Sequence, residues 1–292
     1  MFDNIKGKVL LDSSLAPFTT WKVGGNCRAI VFPKDVEDIQ RVLEICRKNH
    51  IPFFTMGNGS NLLKKDTFYN GIVINMSRAL NSIKIEEDRI VVGSGCMLPQ
   101  LAFHLAHHSV GNFDFYAGIP GTVGGAVVMN AGSAGKETKD IILAVTYINE
   151  DGEIIRETAD NLEFGYRKSK FQNKNTVILS AEFKKEYLDR NIAINRTKAI
   201  VERRRKKFPL KLPTAGSTFK SPVGGPYPGQ IIEELGLKGM VKGGARISKL
   251  HGNWIENFNH ASYSDINYLI EYAQNTVEEK KGIKLELEVV KL

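Results

Sequence analysis

Three short segments far apart in the chain combine residue types that can do chemistry. Gly57-Asn58-Gly59-Ser60-Asn61 and Gly118-Ile119-Pro120-Gly121-Thr122-Val123-Gly124-Gly125 are glycine-rich turns that follow apolar runs. A backbone without Cβ atoms can approach a diphosphate closely and direct its N–H groups at it. Ala215-Gly216-Ser217-Thr218-Phe219-Lys220 places a hydroxyl between a glycine and a lysine. Together the segments predict a nucleotide cofactor held by one part of the chain and a reacting serine supplied by another.

The two glycine turns differ in how specific they are. The first is not the dinucleotide fingerprint of the doubly wound fold, because that pattern needs a third glycine where Leu62 stands. Taken alone, it would be interpreted as a tight loop at a strand end. In the second turn several small residues surround the rigid Pro120, and a hairpin connection rarely needs so many glycines. We therefore expect residues 118–125 to approach a ligand closely.

Composition places the chain among ordinary globular proteins. It has 292 residues, of which 42% are hydrophobic and 25% charged, enough for two or three domains with substantial cores. Its three cysteines show no CxxC spacing, so neither a disulfide framework nor a zinc knuckle is predicted. The N-terminus lacks the apolar core of a signal peptide, and no uncharged apolar stretch could span a bilayer. We expect a cytoplasmic protein without a membrane partner.

The net charge of +8 favours anionic partners, and the densest basic cluster is residues 203–207. Two interpretations stay open: a solvated helix end, where cations complement the helix dipole, or contact with a small phosphorylated ligand. A nucleic-acid footprint is disfavoured, because the cluster is short and has no interleaved aromatic residues. His104 and His108, four residues apart, could share a helix face and bind a metal, but no HExxH pattern accompanies them. We expect no metal site.

The elements that must position these motifs can be outlined from periodicity. Helical spacing predicts helices over residues 36–46, 98–105, 192–207 and 230–235, and a long helix that Ser264 caps and Gly282 ends. Strands are expected at residues 51–56, 72–76, 90–92 and 177–183, and a hairpin at 141–157 turns around Asp151-Gly152. Apolar residues alternate in residues 283–289, which predicts a closing strand.

Six motifs, taken in order, and the terminal segment that follows them resemble a known family. Thr20-Trp21-Lys22-Val23-Gly24-Gly25 and the two glycine turns match the FAD-binding domain of the p-cresol methylhydroxylase type. Gly165-Tyr166-Arg167-Lys168-Ser169, the Ser217 segment, Gly236-Leu237-Lys238-Gly239 and the terminal Leu285-Glu286-Leu287-Glu288-Val289 look like the UDP-N-acetylenolpyruvoylglucosamine reductases. The resemblance runs from about residue 15 to the end, and the length resembles the shorter, type II subgroup.

This resemblance implies a fold and a reaction. The expected fold is α+β: a two-subdomain FAD-binding fold of the p-cresol methylhydroxylase type plus a C-terminal α+β substrate domain. The family uses NADPH to reduce FAD, which passes a hydride to the enolpyruvyl group of UDP-N-acetylglucosamine enolpyruvate, giving UDP-N-acetylmuramate for peptidoglycan. Neither glycine turn contains the His or Cys that tethers flavin in covalent members, so the FAD is expected to be noncovalent. The sequence indicates no obligate protein partner.

The resemblance also assigns residues to roles. Arg167 matches the arginine that stabilises developing negative charge, Ser217 the proton donor and Glu288 the catalytic glutamate. Expected substrate contacts are Tyr166, Lys207 and Lys220. Expected FAD contacts are Gly57, Asn58, Gly59, Ser60, Asn61, Gly118, Ile119, Pro120, Gly121, Thr122, Gly124 and Gly125. The chain departs from the family at Val290, where an arginine is frequent, and at Ser221, where several relatives have asparagine.

The implied domains are residues 1–70 and 71–188 as the FAD-binding subdomains and residues 191–282 as the substrate-binding domain, with residues 283–292 returning as a strand to the first. Two alternatives remain. An FAD oxidase of the same cofactor-domain superfamily would be reoxidised by oxygen and would not need Ser217 or Glu288. A basic nucleic-acid-binding protein would carry no yellow colour and would lose affinity steeply with salt.

Overall fold

Apolar residues recur at the spacings that helices and strands require, and the computed structural model describes the result for residues 1–221 and 224–292. Its α-helices are α1 (Val36–Lys48), α2 (Leu98–His107), α3 (Val123–Met129), α4 (Arg190–Lys207), α5 (Pro228–Glu234) and α6 (Tyr263–Lys281). Its strands are β1 (Lys8–Ser14), β2 (Asn26–Phe32), β3 (Phe53–Met56), β4 (Leu62–Leu63), β5 (Tyr69–Asn75), β6 (Ile83–Ile85), β7 (Arg89–Gly93), β8 (Gly132–Ser133), β9 (Lys136–Glu137), β10 (Ile142–Ile148), β11 (Ile154–Thr158), β12 (Val177–Lys184), β13 (Val241–Lys242), β14 (Ala245–Ile247), β15 (Ile255–Asn257) and β16 (Val290–Lys291). The predicted α+β class is confirmed.

The chain forms two compact units, each assembled from separate stretches of sequence. The first unit comprises residues 1–12, 28–58 and 70–203, and the second comprises residues 13–27, 59–69 and 204–292. The chain therefore passes from the first unit to the second between Asn58 and Gly59, inside the first glycine turn. The division into three functional domains that the family resemblance implies stays a prediction.

A five-stranded antiparallel sheet in the order β11-β10-β12-β7-β6 organises most of the first unit. The predicted hairpin over residues 141–157 is present as β10 and β11, with Ile148 opposite Ile154. The core beside this sheet is one hydrophobic cluster that contains several aromatic residues. The rings of Phe113 and Phe183 meet edge to face in it, with their centres 5.6 Å apart. Burial of these rings fixes the loop before residues 118–125.

The rest of the first unit packs α1 against a sheet in the order β1-β2-β5-β3. The helical spacing predicted here is confirmed, since Ile39, Val42, Leu43 and Cys46 are all buried on one face of α1. Strand β3 runs parallel to β5, with Met56 opposite Asn75. The first glycine turn therefore begins where β3 leaves the sheet.

In the second unit α6 covers a three-stranded sheet in the order β13-β14-β15. One face of this helix is buried, and it is formed by Ile266, Leu269, Ile270, Ala273 and Val277. Gly282 ends the helix with φ +67°, as predicted. The indole of Trp21 is also buried in this core and donates to the Ile255 carbonyl at 2.8 Å. An early segment of the chain is thus part of the C-terminal core.

Two details of the predicted elements are wrong. Ser262, not Ser264, caps α6: its hydroxyl accepts from the Asp265 N–H at 3.2 Å, and the Asp265 carboxylate accepts from the Ser262 N–H at 3.0 Å. This reciprocal pair needs an acid three residues after the serine, which only Ser262 has. Residues 283–289 are not a regular strand either. Within the residues that the structure describes, Leu287 makes an isolated bridge to Phe219, and the regular strand begins later, with β16, which pairs in parallel with β4.

Candidate active site

The first glycine turn packs against the second within the first unit. A Cβ added at Gly57 would overlap the Thr122 hydroxyl and lie 3.1 Å from the Thr122 methyl carbon. The Asn58 side chain donates from Nδ2 to the Pro120 carbonyl at 2.7 Å. Glycine at position 57 is therefore required by this close approach, and the two predicted cofactor turns lie together at residues 57–58 and 118–122.

The second glycine turn is held on both sides by backbone hydrogen bonds. It follows a 3₁₀ helix, Asp114–Gly118, and Thr122 caps α3 by accepting from the Gly125 N–H at 3.4 Å. The Gly124 N–H donates to the Ser94 carbonyl at 2.8 Å, and a Cβ at Gly124 would meet the Ser94 side chain at 3.1 Å. Neither turn contains a carboxylate, so the donors they offer are N–H groups, hydroxyls and the two side-chain amides of Asn58 and Asn61.

Arg167 lies in the first unit on a tight turn in which Gly165 and Lys168 exchange backbone hydrogen bonds. Its own φ is +52°, an unusual conformation for a residue with a side chain. The guanidinium donates to the Gly132 carbonyl at 3.4 Å and lies 5.1 Å from the centre of the Tyr166 ring. Tyr166, a predicted substrate contact, and Arg167, the residue predicted to stabilise negative charge, are therefore in mutual contact.

Ser217 and Glu288 lie in the second unit, on adjacent segments. Gly216, with φ +82°, turns the chain into the short stretch in which Ser217 bridges to Trp254. The residue after the serine joins the two predicted catalytic groups, because the Thr218 carbonyl accepts from the Glu288 N–H at 2.9 Å. Ser217 and Glu288 are both half-buried. The structure thus brings the backbone of Glu288 beside the residue that follows Ser217, although Ser217 and Glu288 are 71 positions apart in the sequence.

Asn253 fixes the serine segment, and sequence reasoning gave it no role. Its Oδ1 accepts from the Phe219 N–H at 2.9 Å, and its Nδ2 donates to the Phe219 carbonyl at 2.8 Å. Its own carbonyl accepts from the Thr218 N–H at 2.8 Å. No spacing rule predicts such a contact, because it depends on two segments that meet only in the folded chain.

The basic run at residues 203–207 forms the end of α4, as predicted, but its residues do not all have the same surroundings. The Arg204 guanidinium lies 5.3 Å from the centre of the Phe208 ring and 5.5 Å from that of Trp254, and burial lowers its pKa to about 10. The Phe208 and Trp254 rings stack at 4.8 Å. Arg204 is therefore not a solvated residue of a helix end, because it packs against Trp254, the residue to which Ser217 bridges.

The two lysines predicted to contact substrate lie on either side of Ser217 in the sequence. Lys207 lies 5.6 Å from the centre of the Phe208 ring, and Lys220 pairs with the Glu286 carboxylate at 3.4 Å. The Lys220 N–H also donates to the Glu286 carbonyl at 2.8 Å. Lys220 is thus held to the same terminal segment that carries Glu288.

The histidine alternative gains no support from residues 1–221 and 224–292, where no group of three or more His, Cys, Asp or Glu side chains could hold a metal ion. The ring centres of His104, in α2, and His108, the residue directly after that helix, are 4.4 Å apart, and burial lowers the pKa of His104. None of the helices within the described residues combines the length and the apolar character needed to cross a bilayer.

Comparison with known proteins identifies the family. Residues 27–158 match a model described as an FAD binding domain, and residues 208–292 match the C-terminal domain of UDP-N-acetylenolpyruvoylglucosamine reductase. A UDP-N-acetylenolpyruvoylglucosamine reductase of Desulforamulus reducens is 37% identical over 285 residues, which are 98% of this chain and 94% of that protein. The chain belongs to the UDP-N-acetylenolpyruvoylglucosamine reductase family. Membership of this family, with its FAD binding domain, makes the chain an FAD-dependent oxidoreductase.

Solved structures of other proteins support the family and the fold. The crystal structure of the reductase from Thermus caldophilus matches with a TM-score of 0.83 and 31% identity, covering 98% of this chain and 99% of that one. A 6-hydroxy-D-nicotine oxidase of Arthrobacter nicotinovorans matches with a TM-score of 0.50 and 19% identity over 63% of this chain and 43% of that one. The oxidase therefore shares only the fold, and the predicted fold of the p-cresol methylhydroxylase type is confirmed.

The residues of the glycine turns fit the FAD that this family uses. Gly57 lacks room for any side chain, as a turn that must approach a ligand with its backbone requires. The absence of carboxylates from residues 57–61 and 118–125 leaves a donor set suited to a diphosphate. Residues of both turns would hold the cofactor, and which of the twelve predicted residues contact it stays a prediction.

Proposed function

We propose that this chain catalyses the NADPH-dependent reduction of UDP-N-acetylglucosamine enolpyruvate to UDP-N-acetylmuramate, a step in the synthesis of peptidoglycan precursors. The observation that carries the proposal is the hydrogen bond from the Glu288 N–H to Thr218, which places Glu288 beside the Ser217 segment. Both residues lie within the stretch that matches the reductase C-terminal domain. The names of relatives that align over nearly the whole chain support the same substrate.

FAD held by residues of the two glycine turns would supply the redox chemistry, the transfer of a hydride from NADPH to the enolpyruvyl double bond. Hydride addition to the terminal carbon leaves negative charge on the neighbouring carbon and its carboxylate. Arg167 serves this charge as a fixed cation, because a positioned cation stabilises charge that develops during the reaction. Its guanidinium is held by the Gly132 carbonyl and the Tyr166 ring, which limits its motion.

Ser217 donates the proton that completes the reduction at the carbon bearing this charge. A serine hydroxyl is a weak acid, so this role requires a very basic intermediate and a route that resupplies the proton. Glu288, on the segment bonded to Thr218, is the second acid–base group near the serine. Three carboxamide and backbone contacts from Asn253 to Thr218 and Phe219 hold the serine segment in place.

Anionic and polar parts of the substrate require further contacts. Tyr166, Lys207 and Lys220 serve here as the polar and cationic groups for the sugar nucleotide. Val290 replaces an arginine that is frequent in the family, and its N–H donates to the Asn61 carbonyl at 2.9 Å in the pairing of β16 with β4. The apolar side chain of Val290 cannot make the charged contact that this arginine would make. NADPH and the enolpyruvyl sugar nucleotide are the small-molecule partners of a cytoplasmic enzyme.

The test follows the two half-reactions separately. Anaerobic NADPH should bleach the flavin absorbance of the purified holoprotein, and the enolpyruvyl sugar nucleotide should then restore it in one turnover. Rapid reoxidation by oxygen with no response to the sugar nucleotide would support the oxidase alternative and overturn the proposal. A colourless protein whose nucleic-acid affinity falls steeply with salt would overturn it in favour of a nucleic-acid-binding function.

A further inference from the structure

Both backbone groups of Glu288 are bonded within the second unit. Its N–H donates to the Thr218 carbonyl at 2.9 Å, and its own carbonyl accepts from Nδ2 of Asn61 at 2.9 Å. The Val290 N–H donates to the Asn61 carbonyl at 2.9 Å. Asn61 thus holds the residues on both sides of Val289, Glu288 through its side chain and Val290 through its backbone.

We infer that Asn61 is a positioning residue for the Glu288 carboxyl group. This inference rests on the proposed catalytic role of Glu288. Residues 283–289 lie outside the regular strands of the part of the chain that the structure describes, and the Asn61 side chain donates to the Glu288 carbonyl as a neighbouring strand would. A displaced backbone carries its side chain with it, and a misplacement of about 1 Å can cost ~10²-fold in rate.

This role differs from the FAD contact that the sequence predicts for Asn61, and the two roles have different consequences. A residue that only holds FAD should change cofactor affinity and both half-reactions alike. A residue that positions Glu288 should change the reoxidation of the flavin by the enolpyruvyl substrate, in which the substrate carbon is protonated. Its effect should also depend on the presence of the Glu288 carboxyl group.

Asn61→Asp keeps the size and shape of the side chain and removes the donor from Nδ2, because an ionised carboxylate only accepts hydrogen bonds. Asn61→Ser also loses the bond, since it is too short to reach the carbonyl, and it adds no charge. Asn58→Asp is the matched control, because Asn58 lies in the same turn and donates to the Pro120 carbonyl at 2.7 Å. Any effect of this control should fall on FAD affinity or on both half-reactions alike.

Stopped-flow measurement on the holoproteins should show reoxidation by the enolpyruvyl substrate slowed by at least ~10-fold in both Asn61 variants, with flavin reduction by NADPH within ~2-fold of the original. In a Glu288→Gln background, Asn61→Asp should cause little further loss, because residues that act through one group are not additive. Hydrogen exchange of residues 284–292 should be faster in Asn61→Asp than in Asn58→Asp.

The outcomes separate this inference from the proposed function. If Glu288→Gln reoxidises at the original rate, the proposed role of Glu288 is wrong and the inference falls with it. If Glu288→Gln is slow but Asn61→Asp costs its full factor in that background, or slows both half-reactions equally, only the inference is overturned. Equal hydrogen exchange of residues 284–292 in the two aspartate variants would likewise overturn it.

Discussion

The carboxamide of Asn253 pairs with both backbone groups of Phe219, accepting from its N–H at 2.9 Å and donating to its carbonyl at 2.8 Å. A side-chain amide here takes the place of a neighbouring strand. Asn253 is 3% exposed and Phe219 is 1% exposed, so water cannot replace either bond. The segment that carries Ser217 therefore depends on one buried asparagine.

Asn253→Ala should destabilise the protein by about 2–6 kcal/mol, because two buried backbone groups would each lose a partner at about 1–3 kcal/mol. Urea denaturation followed by circular dichroism measures the free energy of unfolding. Asn267→Ala is the control, since its Nδ2 donates to the Glu271 carboxylate at 2.8 Å on the exposed side of α6. Its cost should stay within about 0.5 kcal/mol. Equal costs for the two variants would contradict the structural role of Asn253.

Ser217→Ala should separate the two half-reactions. Hydride transfer from NADPH to the flavin needs no protonation of a substrate carbon, so its rate should stay nearly unchanged. Reoxidation by the enolpyruvyl substrate should slow by at least ~10²-fold, the factor expected for losing a positioned general acid. Ser217→Cys keeps an ionisable proton and should recover part of this loss. Stopped-flow spectroscopy resolves both steps, and an alanine variant slowed equally in both would make Ser217 a structural residue.

Gly57→Ala should weaken FAD binding and lower the thermal unfolding temperature together. The added methyl group would overlap the Thr122 hydroxyl, and overpacking of this kind costs about 1–3 kcal/mol. Gly165→Ala is the control for stability, since its Cβ would lie at an ordinary 3.6 Å from Lys168. Differential scanning fluorimetry with and without FAD compares the variants. An unchanged unfolding temperature for Gly57→Ala would show that the turns can separate at no cost.

Acid stability should depend on Glu182, whose carboxylate accepts from two nitrogens of Arg156, at 2.6 and 2.8 Å. The hydrogen bonds from Arg156 lower the pKa of Glu182 below its ordinary value of 4.5. A lowered pKa in the folded state stabilises the protein above the ordinary value, and this contribution is lost as the pH falls below it. Glu182→Gln should therefore flatten the plot of unfolding free energy against pH below about 4.5.

Arg156→Gln is the matched variant, because it removes the partner and leaves the carboxylate in place. It should flatten the same part of the plot. Urea denaturation between pH 3 and pH 7 measures the three proteins. A Glu182→Gln plot as steep as that of the original protein would assign the acid sensitivity to other carboxylates.

FAD should leave the protein without breaking a covalent bond, because neither glycine turn contains a His or Cys that could be linked to the flavin. Precipitation with acid should release all the yellow colour into the supernatant, and absorbance of the two fractions measures it. Colour that stays in the pellet would contradict this prediction and would direct the search for the linkage to residues outside both turns.

Several elements could be predicted because their signals are local. The apolar residues of α1 recur every three or four positions, and burial of one helix face enforces that pattern. Asp151-Gly152 was correctly placed in a hairpin turn, where Gly152 has φ +90°. The helix end at Gly282 was also correct, since glycine adopts a positive φ at little cost. In each case the local structure follows from the conformations and contacts of a few neighbouring residues.

The C-terminal segment shows where local signals fail. Alternating apolar residues predicted a strand over residues 283–289, and Leu285 and Val289 are indeed buried. However, the Thr218 carbonyl accepts from two successive N–H groups, those of Glu288 and Val289, so a regular ladder does not form. The regular pairing begins only at Val290, opposite Leu62. Register depends on a partner strand that the local sequence does not contain.

The sequence by itself determined the motifs: which glycines, which serine and which glutamate stand in the order that this family uses. Tertiary structure alone decided that Asn61 bonds to Glu288, that Asn253 bonds to Phe219, and that Arg204 packs against aromatic rings. Residue types and their spacing indicate which local conformations are low in free energy, because that free energy depends on a few consecutive residues. Contacts between segments as far apart as Asn61 and Glu288, which are separated by 227 positions, depend on how the whole chain is buried, and no local pattern encodes them.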